Sequence, residues 1–273
     1  MMFCIWDYES NKYKESRDDF KTWVKFRERC ADCHNERYAD LMNEWVELEL
    51  KNQKSDSVTF VLDGIVNPEV WEKQEKKVLF ILKEAYDKTE KTQPGLYAWD
   101  EPEYIWKENA RHNENTWRRV YQWAKKALNP TLSNDEILKS QNFHEDFRAT
   151  FEKFAVINVK KTDGISRSDN EDLEKHAYRH AGQLIEQIEI INPDVIICGG
   201  TCRLLDIALQ ECNKPIVRAE KNESWNYTTN AFNNRPITVV DFWHPAWWGR
   251  ADVDLLDALE IKSIREENFY KHN

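Results

Sequence analysis

No apolar run in this chain approaches the roughly 18 residues that a membrane-crossing helix needs, so a spanning helix is excluded and a soluble protein is expected. The start, Met1-Met2-Phe3-Cys4-Ile5-Trp6-Asp7, lacks the basic region, long apolar run and small-residue cleavage site of a secretory signal, which points to a cytoplasmic location. Cysteine is sparse: six scattered residues exclude a disulfide scaffold. Cys30-Ala-Asp-Cys33 is the one pair at metal-ligand spacing, and it lacks a second pair. Cys198, Cys202 and Cys212 fall on an apolar run and the helix expected after it. Positive charge is in deficit, 39 Lys and Arg against 49 Asp and Glu, for a net charge of −10. That balance argues against strong nonspecific nucleic-acid binding and leaves room only for a local contact. Two groups are basic enough for one: Lys160, Lys161, Arg167, Arg179 and Arg250, or Arg111, Arg118, Arg119, Lys125 and Lys126. Each reads equally as a solvated surface. Also missing are a Gly-rich phosphate loop, a G-x-S-x-G elbow and a His-Glu-x-x-His helix, the signatures of three large enzyme classes.

What is present is ample material for a core: 41% hydrophobic residues, with 12 Trp, 10 Tyr and 12 Phe. Residues 14–52 contain no Gly or Pro and set Tyr38, Leu41, Met42, Trp45 and Leu48 at helical spacing, so residues 1–70 read as a helical extension packed on the core. Short continuous apolar runs then mark buried strands at 77–82, 154–159, 194–198 and 237–241. Helices are expected at about 114–128, at 140–151, from a Ser168/Glu171 capping box to Pro193, after Gly199-Gly200 with Thr201 as cap, and at about 252–268. Strands alternating with helices predict a three-layer α/β/α sandwich around a mostly parallel four-stranded sheet over residues 71–273.

Ligands of such sheets bind beyond the carboxyl ends of the strands. Three loops qualify: Lys83-Glu84-Ala85-Tyr86-Asp87, Asn158-Val159-Lys160-Lys161, and Phe242-Trp243-His244-Pro245-Ala246-Trp247-Trp248. The carboxamide of Asn158 donates and accepts in one plane, which suits the edge of a pyrimidine base and equally suits a strand-to-loop turn. His244, on a loop stiffened by Pro245, is placed to donate to an oxygen that gains charge as a bond breaks. Glu84 is a candidate to orient a water or act as a base, and Tyr97, Trp99, Trp247 and Trp248 are candidates to stack on a base. His176 and His180 lie four apart on a helix, but no Cys or paired carboxylate is near in sequence, so exposed histidines are expected and no metal or cofactor.

The order of these pieces resembles the uracil-DNA glycosylase superfamily, particularly the branches whose first motif reads Gly-Glu-Ala-Pro-Gly. Phe80-Ile81-Leu82-Lys83-Glu84-Ala85-Tyr86-Asp87 stands at the first-motif position, and Tyr97 falls where the family places its stacking aromatic. Val156 to Lys161 is similar to the strand that ends in the base-reading Asn, Gln183 to Gly199 to the helix and strand that follow, and His244-Pro245-Ala246 to the His-Pro-Ser motif. The resemblance implies hydrolysis of the N-glycosidic bond of a uracil or other deaminated base flipped out of DNA, without a cofactor. It implies His244 and Glu84 as catalytic residues, Asn158, Tyr97, Ala85 and Tyr86 as base-binding residues, and Trp248, Lys160 and Arg250 as DNA contacts. Departures at Lys83, Tyr86, Asp87 and Ala246 leave two alternatives: a catalytically altered nucleic-acid or nucleobase-binding protein, or a Trp-rich interaction protein.

Overall fold

Runs of β-branched and aromatic residues too short for helices become the centre of a sheet in the computed structural model, which describes residues 25, 26, 28, 36–52, 57–85, 95–106, 115–140, 144–162, 164, 168–216 and 226–259. In chain order the strands are β1 (Ser57–Leu62), β2 (Gly64–Ile65), β3 (Val78–Glu84), β4 (Gly95–Asp100), β5 (Phe154–Lys160), β6 (Val195–Gly199), β7 (Asn226–Thr229) and β8 (Ile237–Phe242). The helices are α1 (Glu36–Asn52), α2 (Pro68–Trp71), α3 (Glu101–Trp106), α4 (Asn115–Leu128), α5 (Asn134–Ser140), α6 (His144–Phe151), α7 (Asn170–Arg179), α8 (Ala181–Ile191), α9 (Cys202–Glu211) and α10 (residues 252–259).

The main sheet has the order β2-β5-β3-β6-β8-β7. The four expected strands β5, β3, β6 and β8 form its parallel centre, and β2 and β7 add antiparallel edges. The expectation of four strands is therefore corrected to six. Two-residue β2 and the polar β7 (Asn-Tyr-Thr-Thr) carry too little apolar pattern to be read as strands. A second, parallel pair joins β1 to β4. Winding from β3 to β5 and then back past β3 to β6 reverses direction between β3 and β6, the switch point where open sheets leave a crevice.

Alternation along the strands divides the core. Leu79, Ile81, Ala155, Ile157, Ile196 and Val239 face α1, α7, α8 and α9, whereas Val78, Phe80, Phe154, Val156, Ile197 and Val240 face α4, α5, α6 and α10. The chain is a mixed α/β fold with helices on both faces. The N-terminal extension is not wholly helical, because β1 and β2 lie within it. Nor is α1 a detachable cap: Leu41, Met42, Trp45 and Val46 are buried in the same cluster as Leu79 and Ile81. At about 1.5–3 kcal/mol for each large apolar side chain, that burial far exceeds what a peripheral helix needs to stay docked.

Local details also differ from the sequence reading. Asp169, not Ser168, caps α7, accepting from the Glu171 backbone N–H at 2.9 Å. The helix expected to run to Pro193 breaks at His180. Thr201 precedes α9 but spends its hydroxyl on the Ile81 carbonyl at 2.7 Å, stitching the end of β6 to β3. The long loop after β3 contains β4 and α3. Tyr86, Asp87, Arg111, Arg167, Cys30, Cys33 and the helix expected beyond residue 259 lie outside the described residues.

Candidate functional site

Strand register fixes where the expected site residues stand. Asn158 pairs with Leu82, Cys198 with Ile81 and Phe242 with Gly199, so Asn158, Leu82, Gly199 and Phe242 form one row across the carboxyl end of the sheet. Glu84 and Lys160 are paired beyond that row on β3 and β5, and His244 lies two residues past Phe242. The strands bearing Asn158 and His244 are three spacings apart, about 14 Å at 4.8 Å each. Ala85, Gly199 and Gly200 lie at the strand ends between them. Gly200 has φ of +71°, and a Cβ there would come within 3.3 Å of the His244 backbone and Cβ, so glycine lets the His244 loop rest against the turn.

At the His244 end, the imidazole Nδ1 accepts the Ala246 backbone N–H at 3.2 Å, which leaves Nε2 to carry the proton of the neutral ring. Burial, followed by the Lys83 charge, pushes the His244 pKa down to about 4. The ring is therefore a neutral N–H donor across the physiological range. Its loop is held by a residue that sequence reasoning had placed in a basic surface group. Arg119 on α4 is buried and donates to the carbonyls of Pro245 at 3.2 Å, Trp247, and Arg250 at 3.1 Å, with its Nε on Asp252 at 2.8 Å. Asp252 opens α10 and also receives Gln122 at 3.0 Å. No local pattern distinguishes Arg119 from Arg118, and only the helical face it occupies does.

On this stapled loop Trp247 stacks on Trp243 with ring centroids 5.9 Å apart, Arg250 lies over Trp243 at 5.1 Å, and Trp248 is 88% exposed. Trp248 and Arg250 thus stand at the surface beside the crevice.

The Asn158 end differs from expectation. Asn158 is 1% exposed, and its Nδ2 is committed to Glu101 at 2.7 Å and Asp63 at 3.3 Å, leaving a buried Oδ1 without a partner. The amide therefore does not offer a free donor and acceptor together. Around it lies a buried polar cluster centred on Asp63, which sits between β1 and β2 where residues 61–63 lie opposite 157–161 of the neighbouring strand. Its carboxylate accepts the Asn158 backbone N–H at 2.6 Å in place of a strand carbonyl. It also accepts Gln187 at 2.8 Å and the Lys161 ammonium at 2.7 Å on both oxygens. Lys161 is wholly buried over the Trp45 ring, and burial lowers its pKa against the pull of Asp63. Glu101, at the start of α3, has its pKa pushed up to about 8, first by burial and then by the Asp63 charge, so the acid is protonated at neutral pH. Neither Asp63 nor Glu101 belongs to an apolar run or motif, and nothing in the sequence marked them.

Glu84 is also not free to act. Lys160 pairs with it at 3.2 Å and with Asp172 at 2.7 Å, and Gly164 lies so close that a Cβ there would come within 2.3 Å of the Glu84 carboxyl carbon. Burial works against the Lys160 charge, but Asp172 and Glu84 outweigh it and hold its pKa above the usual value. Lys160 is thereby engaged within the fold, not presented as a surface cation. Tyr97 is half-buried on β4 opposite Thr59, and four steps along the chain, about 13 Å if extended, separate it from Glu101, which is the residue that reaches Asn158. Ala85 is buried directly after β3 and accepts the Gly164 N–H at 2.7 Å.

No protein-family model and no curated protein sequence matches this chain.

His176 and His180 were expected on a solvated face and are instead buried against Glu49 of α1. The sheet-covering helix is itself covered, which a single-layer reading of its periodicity misses.

Proposed function

We propose that the crevice at the carboxyl ends of β3, β5, β6 and β8 is a nucleobase site, and that the chain hydrolyses the N-glycosidic bond of a deaminated base in DNA in the manner of the uracil-DNA glycosylase superfamily that its sequence resembles. The observation that carries this reading is His244: a half-buried, neutral imidazole, acceptor side filled by Ala246, with its Nε2–H left as a donor on the loop that follows β8. A fixed neutral donor of this kind stabilises an oxygen that turns anionic as a base departs, without first losing a proton. At the opposite end the acceptor Oδ1 of Asn158 lies beside the protonated Glu101 carboxyl, an acceptor and a donor in one cluster. Once the contact between the two buried side chains opens toward the crevice, that pair matches the adjacent N–H and C=O that uracil and hypoxanthine both present. Trp248 and Arg250 on the stapled loop supply a ring and a cation for the strand, a local contact that an acidic protein can make.

The clamped Glu84 favours a second reading, that of a protein that binds the base without cutting it, since the carboxylate expected to activate water is held by Lys160. One experiment separates the two. Oligonucleotides carrying uracil, hypoxanthine or xanthine are incubated with the wild-type protein and with His244→Ala and Asn158→Ala variants, and both base release and DNA retention are read. Release that falls about 10²–10³-fold in His244→Ala supports the hydrolase. Retention that Asn158→Ala weakens, without release, supports the binder. Neither release nor retention overturns both and leaves the Trp-rich loop as a protein-contact surface.

A further inference from the structure

We propose that Glu49, His176 and His180 bind one divalent first-row transition-metal ion, zinc being the best match to the ligand set, and that the ion clamps α1 onto the α7–α8 helix pair. The three side chains come from two distant parts of the chain. The i, i+4 spacing of His176 and His180 places both rings toward one side, and the helix break at His180 changes direction between them. Glu49 arrives three residues before the end of α1. All three are buried, and their ligand atoms lie within 4.8 Å of one another.

Distances favour coordination. Ligand bonds of about 2.0–2.2 Å set tetrahedral ligand atoms roughly 3.3–3.5 Å apart. Glu49 Oε1 is already 3.1 Å from His176 Nδ1 and 3.2 Å from His180 Nε2. A second observation points the same way: His180 is 1% exposed, its Nδ1 has no hydrogen-bonded partner, and its Nε2 meets the same Glu49 oxygen that His176 contacts. A buried imidazole so sparsely hydrogen-bonded carries a desolvation cost that a metal bond at Nε2 offsets in part. An orienting carboxylate lies close by as well. With His176 ligating through Nδ1, its Nε2 is 3.8 Å from Asp172, within reach of the carboxylate–histidine–metal arrangement after a small shift, and Trp45 packs against the His180 ring at 5.7 Å. Two imidazoles and one carboxylate suit Zn²⁺ and its first-row neighbours and suit Ca²⁺ or Mg²⁺ poorly.

The test uses the full chain, treated with chelator, dialysed and checked for native circular dichroism. Titration with Zn²⁺ is followed by calorimetry and thermal melting, and Co²⁺ uptake is followed by visible absorption. One equivalent of Zn²⁺ with a raised Tm, and a Co²⁺ spectrum without thiolate charge-transfer bands, is the expected result. Glu49→Gln and His180→Gln should lose that uptake. Asp172→Asn, which keeps all three ligands and alters a half-exposed residue, should weaken it about 10–100-fold. Cys30→Ser with Cys33→Ser should leave it unchanged. No uptake by folded wild-type protein, uptake indifferent to Glu49→Gln and His180→Gln, or loss of uptake in the Cys double variant would each overturn the assignment.

Discussion

The guanidinium of Arg119 and the carboxylate of Asp252 face one another at 2.8 Å, and the same guanidinium holds three successive parts of the His244 loop by their carbonyls. The position of His244 is thus set from α4, more than a hundred residues away in sequence. Arg119→Lys keeps the charge but loses the fork. The variant should remain folded, lose about 1–3 kcal/mol in urea unfolding, and leave the stacked Trp243 and Trp247 more accessible to a fluorescence quencher. A protein as stable as wild type with unchanged quenching would show that the loop holds itself.

Asp63 and Lys161 form an ion pair with no solvent on either side chain. Removing one charge strands the other, so Asp63→Asn should cost about 3–5 kcal/mol in chemical denaturation. Adding Lys161→Met to that variant should recover a substantial part, because the stranded ammonium is then gone. Additive losses in the double variant would mean that the other Asp63 bonds, not the charge pair, dominate.

Glu101 provides the pH signature. Its folded-state pKa, about 8, lies above the ordinary value of 4.5. Between those values the native state holds a proton that the unfolded chain has released, so this residue's contribution is full below about pH 4.5 and declines as pH rises toward 8. The slope should approach roughly 1.4 kcal/mol per pH unit. Glu101→Gln mimics the neutral acid and should flatten the decline, read as the difference between wild-type and variant unfolding free energies at pH 5 and pH 8. Parallel curves would remove Glu101 as the source.

For His244 the sign is opposite. Its pKa is lowered to about 4, so the neutral ring is favoured in the fold, and that preference weakens as pH falls from 6.5 through 4. Base release or binding should therefore stay level from about pH 5.5 to 7, above the His244 pKa and below that of Glu101. Lys83→Met removes one of the two influences that depress the pKa and should move the His244 titration upward in an NMR experiment. An unmoved titration would leave burial as the sole cause.

The parallel centre of the fold was legible because β3, β5 and β6 are buried on both faces and read as continuous apolar runs, and β8 keeps an apolar run interrupted only by Thr238 and Asp241. β1, β4 and β7 were not, since each mixes polar and aromatic residues and takes its strand character from a neighbour's register. His244 and Asn158 were found because each ends such a run. Their partners were not: Asp63, Glu101 and Arg119 act through tertiary placement, and a charged residue buried by a distant element has the same sequence context as one in water. His176 and His180 illustrate the cost of that blindness, because their helix is amphipathic toward the sheet and its outer face looks solvated until α1 is laid upon it.

The two antiparallel edges of the main sheet have a consequence for the crowded cell. A parallel sheet ending on β5 and β8 would expose two flat rows of unpaired backbone groups to any passing extended chain. Here one flank is occupied by a two-residue strand followed back along the chain by a charged Asp63 turned inward onto the backbone, and the other by a four-residue polar ribbon. Neither offers enough regular ladder for a second molecule to zip onto, so the flanks of the main sheet are poor templates for edge-to-edge pairing, one of them through the same carboxylate that organises the polar interior.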